Sequence, residues 1–234
     1  MTILTKPYMQ TGNAHLLPID RNDPSLVLYL PLWYPHGDMT GSTIYSYDKN
    51  RRTGTVSGAV WGSTGRFFDH SNDTVTIPNT ASLQLTGDMT VIAWVQPDSN
   101  SDDYDGIVIK SNQSPTITGW ELLLRSAAVG FYFVIGNGVA QKTAYGTGGA
   151  AIAAGTWYQL VGVRSGTTNS LYINLVKGTD GTSGTLVDSG TNVVAGLRTG
   201  QAWGGKIGEI CIYNRALPVG EITRNHQATK WRYL

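Results

Sequence analysis

Short apolar runs recur along this chain, and each is cut off by glycine, proline or a cluster of small polar residues. Runs of roughly four to eight β-prone residues between turn signals read as strands. Leu26–Leu32 is broken by Pro31 and Pro35, and Thr74–Pro78 alternates with period two. Met89–Val95 is apolar almost throughout, as a central strand is. Gly106–Lys110 is a further short strand. Trp120–Arg125 and Gly130–Ile135 flank Ala127-Ala128 and suit a hairpin. Trp157–Arg164 and Ser170–Asn174 flank the turn Ser165-Gly166-Thr167-Thr168, and Lys206–Tyr213 closes the series. The 29 glycines in 234 residues, about twice the usual share, fit a chain dominated by tight turns. No strand–helix rhythm exists, so the pattern points away from a parallel α/β sheet and an all-β sandwich or barrel is expected. One short helix is expected from Leu217-Pro218-Val219, ending near His226 or Ala228, with proline at the first turn and Glu221 near the positive helix end.

Residues 1–25 carry Pro7, Gly12, Pro18 and Pro24 with no sustained period. Such a segment orders only by docking, either on its own body or on a neighbouring subunit. No repeat and no interior linker follow, so one domain over residues 26–234 behind an extended N-terminal arm is the economical organisation. Charge excludes some partners. Lys and Arg number 17 against 16 Asp and Glu, for a net charge of +1. Nucleic-acid binding, which needs clustered cations, is therefore not indicated. No run of 18 apolar residues indicates a membrane span. The first residues hold one Lys, Lys6, and no apolar core of a secretion signal. Cys211 is alone, which rules out an internal disulfide and a metal–thiolate cluster within one chain.

Catalytic chemistry finds little support. Glycoside hydrolysis needs two carboxyl groups at a defined separation. The chain has only Glu121, Glu209 and Glu221 as glutamates, none with an acidic neighbour two or four residues away. Glu121 follows Trp120 on a strand, so a remote aspartate approaching in space is the one route left to a glycosidase. His15, His36, His70 and His226 are scattered and no Gly-x-Ser-x-Gly elbow occurs, which gives no serine triad. No histidine or cysteine pair has zinc spacing. The glycine-rich stretches Gly136-Asn137-Gly138 and Gly146–Gly149 lack the lysine and helix of a phosphate loop and read as hairpin turns. The acidic loop Asp98–Gly106 lacks the regular spacing and the glutamate of a calcium loop and reads as a solvated turn.

Four segments, in order, resemble the laminin-G-like, concanavalin-A-like sandwich family, especially its single-domain bacterial and phage variety. They are Arg66–Pro78, Met89–Pro97, Ala154–Gly162 with Ser170–Asn174, and Gly205–Leu217. The first looks like that family's Phe-Asp-Gly-x-x-Asp-x-Val strand pair. The second is similar to its Phe-Thr-x-x-x-Trp-Val strand. The resemblance implies a two-sheet antiparallel jelly roll, with Trp94 and Trp157 expected between the sheets. It also implies a possible Ca2+ cofactor held by Asp48 and Glu209 with backbone carbonyls. Three positions depart from the family pattern: His70 stands for a glycine, Gly208 for an aspartate, and Pro218 for a serine cap.

The loops carry the binding potential. Seven Trp and twelve Tyr stand against four Phe, and both of the richer types combine a flat apolar face with a polar edge. Trp33, Tyr34, Trp61, Tyr104, Tyr145 and Trp203 fall in expected loops or strand ends. His36 and Asp38 add an imidazole and a carboxylate beside the first pair, a set able to stack on and hydrogen-bond a sugar ring. Exposed strand positions are mostly Thr, Ser, Asn and Gln, and such edges must be covered or paired. The expected function is a non-catalytic recognition module for a glycan or a protein surface. The alternatives are a structural part of a virion or surface assembly, as a homo-oligomer or a docked decoration, and a glycosidase. The expected location is extracellular or on a virion surface.

Overall fold

The computed structural model describes residues 19–34, 42–99, 103–113 and 116–234. The strands read from the sequence form with ends shifted by a few residues. Among the described residues they build two sheets, one of nine strands and one of ten, paired antiparallel almost throughout. The nine-stranded sheet runs Val176–Lys177, Thr168–Ile173, Tyr158–Ser165, Met89–Pro97, Gly204–Tyr213, Gly65–Asp69, Val60–Gly62, with Leu26–Pro31 also on Gly204–Tyr213. The ten-stranded sheet runs Gln141–Gly146, Gly130–Asn137, Thr118–Ser126, Asp105–Asn112, Val193–Ala195, Thr74–Ile77, Thr53–Ser57, Thr43–Tyr45. The Ser165–Thr168 pairing closes a two-residue turn with Gly166 at φ +58°, a left-handed backbone that glycine adopts without a Cβ penalty.

Alternation decides what each strand buries. Met89, Val91, Ala93 and Val95 face the inter-sheet core, as do Trp120, Leu122, Leu124, Phe131, Phe133 and Ile135 from the other sheet. The odd–even rule then sends Thr90, Ile92 and Trp94 to the opposite face of the nine-stranded sheet. That face is also covered. Ile92, Val161, Cys211 and Tyr213 pack with Ile19, Leu217 and Ile222 in a second cluster. Trp94, Trp157 and Tyr233 form a third, with Trp33 against it. The expectation that Trp94 and Trp157 lie between the sheets is therefore corrected. A strand apolar on both faces gives no parity signal, and these two indoles fill the outer face beneath the C-terminal helix. Trp94 Nε1 donates to Thr229 Oγ1 at 2.9 Å, and its ring stacks on Tyr233 at 4.6 Å.

That helix runs Val219–Thr229, beyond the expected end, and a 3-10 turn Lys230–Arg232 follows. Pro218 is its N-cap, and Glu221 sits in the first turn. The helix lays Ile222 and His226 on the sheet. Residues 19–25 are tied down as well: Ile19 is buried, and Asp23 bonds Arg215 at 2.9 Å. The rest of the expected arm, residues 1–18, lies outside the described residues.

Two departures from the family pattern have local causes. His70 has φ +63°, so a histidine occupies a left-handed position that favours glycine, and its Nε2 lies 3.4 Å from the buried Asp105. Gly208 lies where a Cβ would meet the Tyr233 ring at 2.4 Å, so the closing tyrosine occupies the space a side chain there would need.

Trp203 also departs from expectation. It was expected on a loop facing a ligand, but it is fully buried in the inter-sheet core. The glycines that follow it mark a strand end, but pairing with Asp69 and Pro97 turns the chain inward. Trp203→Ala should therefore cost about 3–5 kcal/mol of stability in urea unfolding. A variant as stable as the parent would contradict this placement.

Candidate functional site

The sequence-expected residues separate into two surfaces. Trp33 and Tyr34 lie together on the outer face of the nine-stranded sheet, and Trp61 reaches Trp33 from the edge strand Val60–Gly62. Trp61 Nε1 donates to the Trp33 carbonyl at 3.2 Å, and Tyr34 meets both Trp33 and Tyr47 edge-on at 5.8 and 5.2 Å. Glu209 is at the centre of this group. Its carboxylate is buried and accepts from Trp33 Nε1 at 3.1 Å and Arg232 Nη1 at 3.0 Å, with the Tyr29 hydroxyl at 3.4 Å. Arg232 also lies 3.7 Å above the Trp33 ring. One face of that indole is thus already taken by the protein. His36 and Asp38 lie outside the described residues.

Burial pushes the Glu209 carboxyl above its ordinary range, while Arg232 and the Trp33 and Tyr29 donors pull it back. The same burial, with Glu209 nearby, pushes the Tyr29 and Tyr233 hydroxyls well up, so both stay protonated at neutral pH.

Asp48 and Glu209 do not fit together as a calcium site. Asp48 accepts from the Tyr29 backbone N–H at 3.0 Å, the Asn50 backbone N–H at 2.8 Å and Arg52 Nη1 at 3.1 Å. Glu209 approaches the hydroxyl at the far end of that same tyrosine. Each carboxylate thus already has an arginine, and Tyr29 lies between them. Calcium needs six to eight oxygens on one ion. Among the described residues no three His, Cys, Asp or Glu side chains gather to hold a metal. In the acidic loop, Asp103 pairs with Arg125 and Asp105 faces His70.

Tyr104 and Tyr145 lie on the outer face of the ten-stranded sheet. Phe131, Phe133 and Ala144 point into the core, so Tyr132 and Tyr145, paired across their strands, point out. Their rings are 5.6 Å apart. Tyr145 is 42% exposed and borders an open cleft of about 450 Å3, shared with Val129, Thr147, Val176, Lys177 and Thr179. Glycines shape its walls. A Cβ on Gly178 would meet the Tyr145 carbonyl at 2.2 Å, so the loop approaches the strand only because glycine stands there. Tyr104 carries Arg125 over its ring at 4.2 Å and Arg198 at 5.4 Å.

Glu121, the acid through which a glycosidase was considered, is fully buried on this face. It accepts from Ser111 Oγ at 2.6 Å, Gln113 Nε2 at 2.7 Å and Arg198 Nε at 3.0 Å. Glu221 is held by Arg215 at 2.7 Å. Each glutamate of the chain therefore has an arginine partner. Sequence reasoning missed Tyr132, Arg198 and Arg232. Tyr132 was recoverable, because it lies between Phe131 and Phe133 on an alternating strand. The arginine pairings join residues 77 and 23 positions apart and leave no local signal.

The fold and these surfaces define a lectin-like antiparallel sandwich. The chain belongs to the concanavalin A-like lectin/glucanases superfamily, whose sequence profile matches residues 69–223. Compared by sequence with curated proteins, it matches none. Among solved structures it is similar to a Trypanosoma rangeli sialidase in complex with 2,3-difluorosialic acid. That match has a TM-score of 0.67 and 14% identity over 97% of this chain and 36% of the sialidase. It is also similar to the botulinum neurotoxin serotype D binding domain, with a TM-score of 0.63 and 15% identity over 87% of this chain and 51% of that one. The chain thus spans about a third of the sialidase and half of the neurotoxin fragment, and at this identity the likeness is one of fold. No described helix is long and apolar enough to cross a membrane.

The burial of Glu209 gives a pH test. Arg232→Gln leaves a buried charge uncompensated, which costs about 3–5 kcal/mol near neutral pH. Without Arg232 the folded-state pKa of Glu209 rises further. The folded variant then holds a proton that the unfolded chain releases above about pH 4.3. Stability relative to the parent should be nearly restored below that pH and fall as pH rises toward neutrality. A deficit independent of pH, measured by denaturant melts from pH 3.5 to 7.5, would contradict this.

Proposed function

We propose that this chain is a non-catalytic recognition domain that binds carbohydrate at the cleft beside Tyr145. The observation that carries the reading is an exposed phenol in an open cleft with threonine hydroxyls and glycine backbone. A tyrosine face takes the C–H face of a sugar ring, and nearby hydroxyls and backbone groups take its OH groups. Glycine walls let a ring approach the main chain closely. The non-catalytic part rests on Glu121, Glu209 and Glu221. Each holds an arginine as its counter-ion, and Glu121 and Glu209 are buried besides. A general acid needs a carboxyl free to hold and release a proton toward substrate. The fold relatives include a sialidase solved with a sialic acid derivative and a toxin binding domain, which is compatible with a glycan ligand.

A second reading draws on the anchoring of residues 19–24. Besides the Asp23–Arg215 pair, Lys49 Nζ donates to the Pro24 carbonyl at 2.8 Å. Anchoring of this kind supports the reading of a component of a virion or surface assembly. A glycan array with the parent and Tyr145→Ala separates the two. The carbohydrate reading expects binding that weakens at least tenfold in the variant, about 1.4 kcal/mol. A glycan-blind parent that is an oligomer by light scattering would reject it in favour of assembly.

A further inference from the structure

The cleft beside Tyr145 is built where three turns meet. Val129 ends the turn before the strand Gly130–Asn137, Thr147–Gly149 follow the strand Gln141–Gly146, and Val176–Thr179 return after the strand Thr168–Ile173. Glycines let the three approach closely. A Cβ on Gly130 would lie 2.9 Å from the Thr147 methyl, and one on Gly146 would lie 3.1 Å from the Gly178 Cα. One on Gly148 would lie 2.8 Å from the Ile173 side chain, so the middle loop is packed against the strand below it.

Two features of this cleft go together. The first is apolar: Val129 is 41% and Val176 48% exposed, so two branched side chains stand half in water beside the loop. The second is polar. Among the described residues the backbone N–H groups of Thr147, Gly148 and Gly149 donate to no protein acceptor. Three consecutive main-chain donors are thus offered next to the valines, and a backbone N–H is a strong donor that needs an acceptor. Net charge does not accompany them. Lys177, the charged group among the described lining residues, donates to Asp180 at 2.7 Å, and Asp180 also accepts from the Ser170 hydroxyl at 2.8 Å.

From the pairing of exposed valines with unused loop donors around Tyr145 we infer that the cleft selects a 2-acetamido-2-deoxyhexose, a neutral sugar whose ring carries an N-acetyl group. The inference deepens the carbohydrate reading above and rests on it. An acetamido group needs a wall for its methyl, donors for its carbonyl oxygen and an acceptor for its N–H. The valines take the methyl out of water. The loop N–H groups serve the carbonyl oxygen, and the Thr147 or Thr179 hydroxyl accepts the N–H. A plain hexose sets a hydroxyl against the apolar wall and gains nothing there. An anionic sugar meets a lysine already paired with Asp180.

The test is an NMR titration of the 15N-labelled full chain with the methyl glycosides of N-acetylglucosamine and N-acetylgalactosamine, set against those of glucose, galactose and glucuronate. Amides of residues 145–149 and 176–179 report on the cleft. An acetamido sugar should shift them saturably, about tenfold more tightly than its hydroxyl twin and than glucuronate. The double variant Val129→Thr/Val176→Thr exchanges two methyls for hydroxyls on half-exposed positions. In it the preference should fall to about threefold or less, with the affinity of the hydroxyl twin nearly unchanged. Tyr145→Ala should weaken every sugar alike. Glucose or galactose binding as tightly as its acetamido partner would overturn the inference and leave the carbohydrate reading standing. A preference for glucuronate, or one that survives in the double variant, would do the same. Amides silent toward all five glycosides would also overturn the inference, and the glycan array then decides the wider reading by itself.

Discussion

The central strands of the nine-stranded sheet are buried on both faces, and the rest of the structure follows from that constraint. The strand Met89–Pro97 is apolar on each side. One face must meet a second sheet, and the other must be covered by something else. The covering is the C-terminal helix, the turn after it, and the anchored residues 19–24. A polar group on that outer face is then out of water and needs a partner. Glu209 is such a group, and Arg232, Trp33 and Tyr29 surround it. The closing turn is thus fixed by electrostatics as well as by packing, and Trp33 is drawn into the protein's own structure.

The same logic governs chemistry on the opposite sheet. Glu121 is placed on the outer face by the inward turn of Trp120 and Leu122, yet the hairpin that carries Arg198 covers it. Gly106 permits this approach, because a Cβ there would lie 2.5 Å from Arg198. The carboxylate so held is an acceptor in a closed network. Tyr145, farther along the face, is 42% exposed among the described residues. On this face a tyrosine is left accessible while the glutamate is enclosed, and the proposed recognition of sugars rests on that contrast.

Much of the sandwich was legible in the sequence. Thr74–Ile77 shows its alternation, and Gly166 announces its hairpin. The family resemblance correctly supplied the two-sheet fold. Short or polar strands such as Thr43–Tyr45 and Thr53–Ser57 escaped notice, because three to five residues of small polar type carry little period. The face occupied by Trp94 was not legible, since a strand apolar on both sides has no parity. Trp203 was misread for a related reason: its glycine neighbours mark an end, but only pairing with distant strands sets the direction of the indole. Of the aromatics expected at a site, Tyr145 borders a cleft, Tyr34 is exposed, and Trp33 and Trp61 serve the fold. Asp48 and Glu209, the calcium ligands that the resemblance implies, bond opposite ends of Tyr29, and each pairs with an arginine, Arg52 four residues on from Asp48 and Arg232 twenty-three on from Glu209.

The central claim is that this sandwich holds carbohydrate and leaves it intact, because its glutamates are committed to arginines. The direct measurement is prolonged incubation with a panel of β-glucans and galactans, following reducing ends over time. The account predicts no new reducing ends from any polysaccharide, including those the protein binds. Steady release of reducing ends that disappears in Glu121→Gln would contradict it, since it would show Glu121 leaving Arg198 to act on substrate.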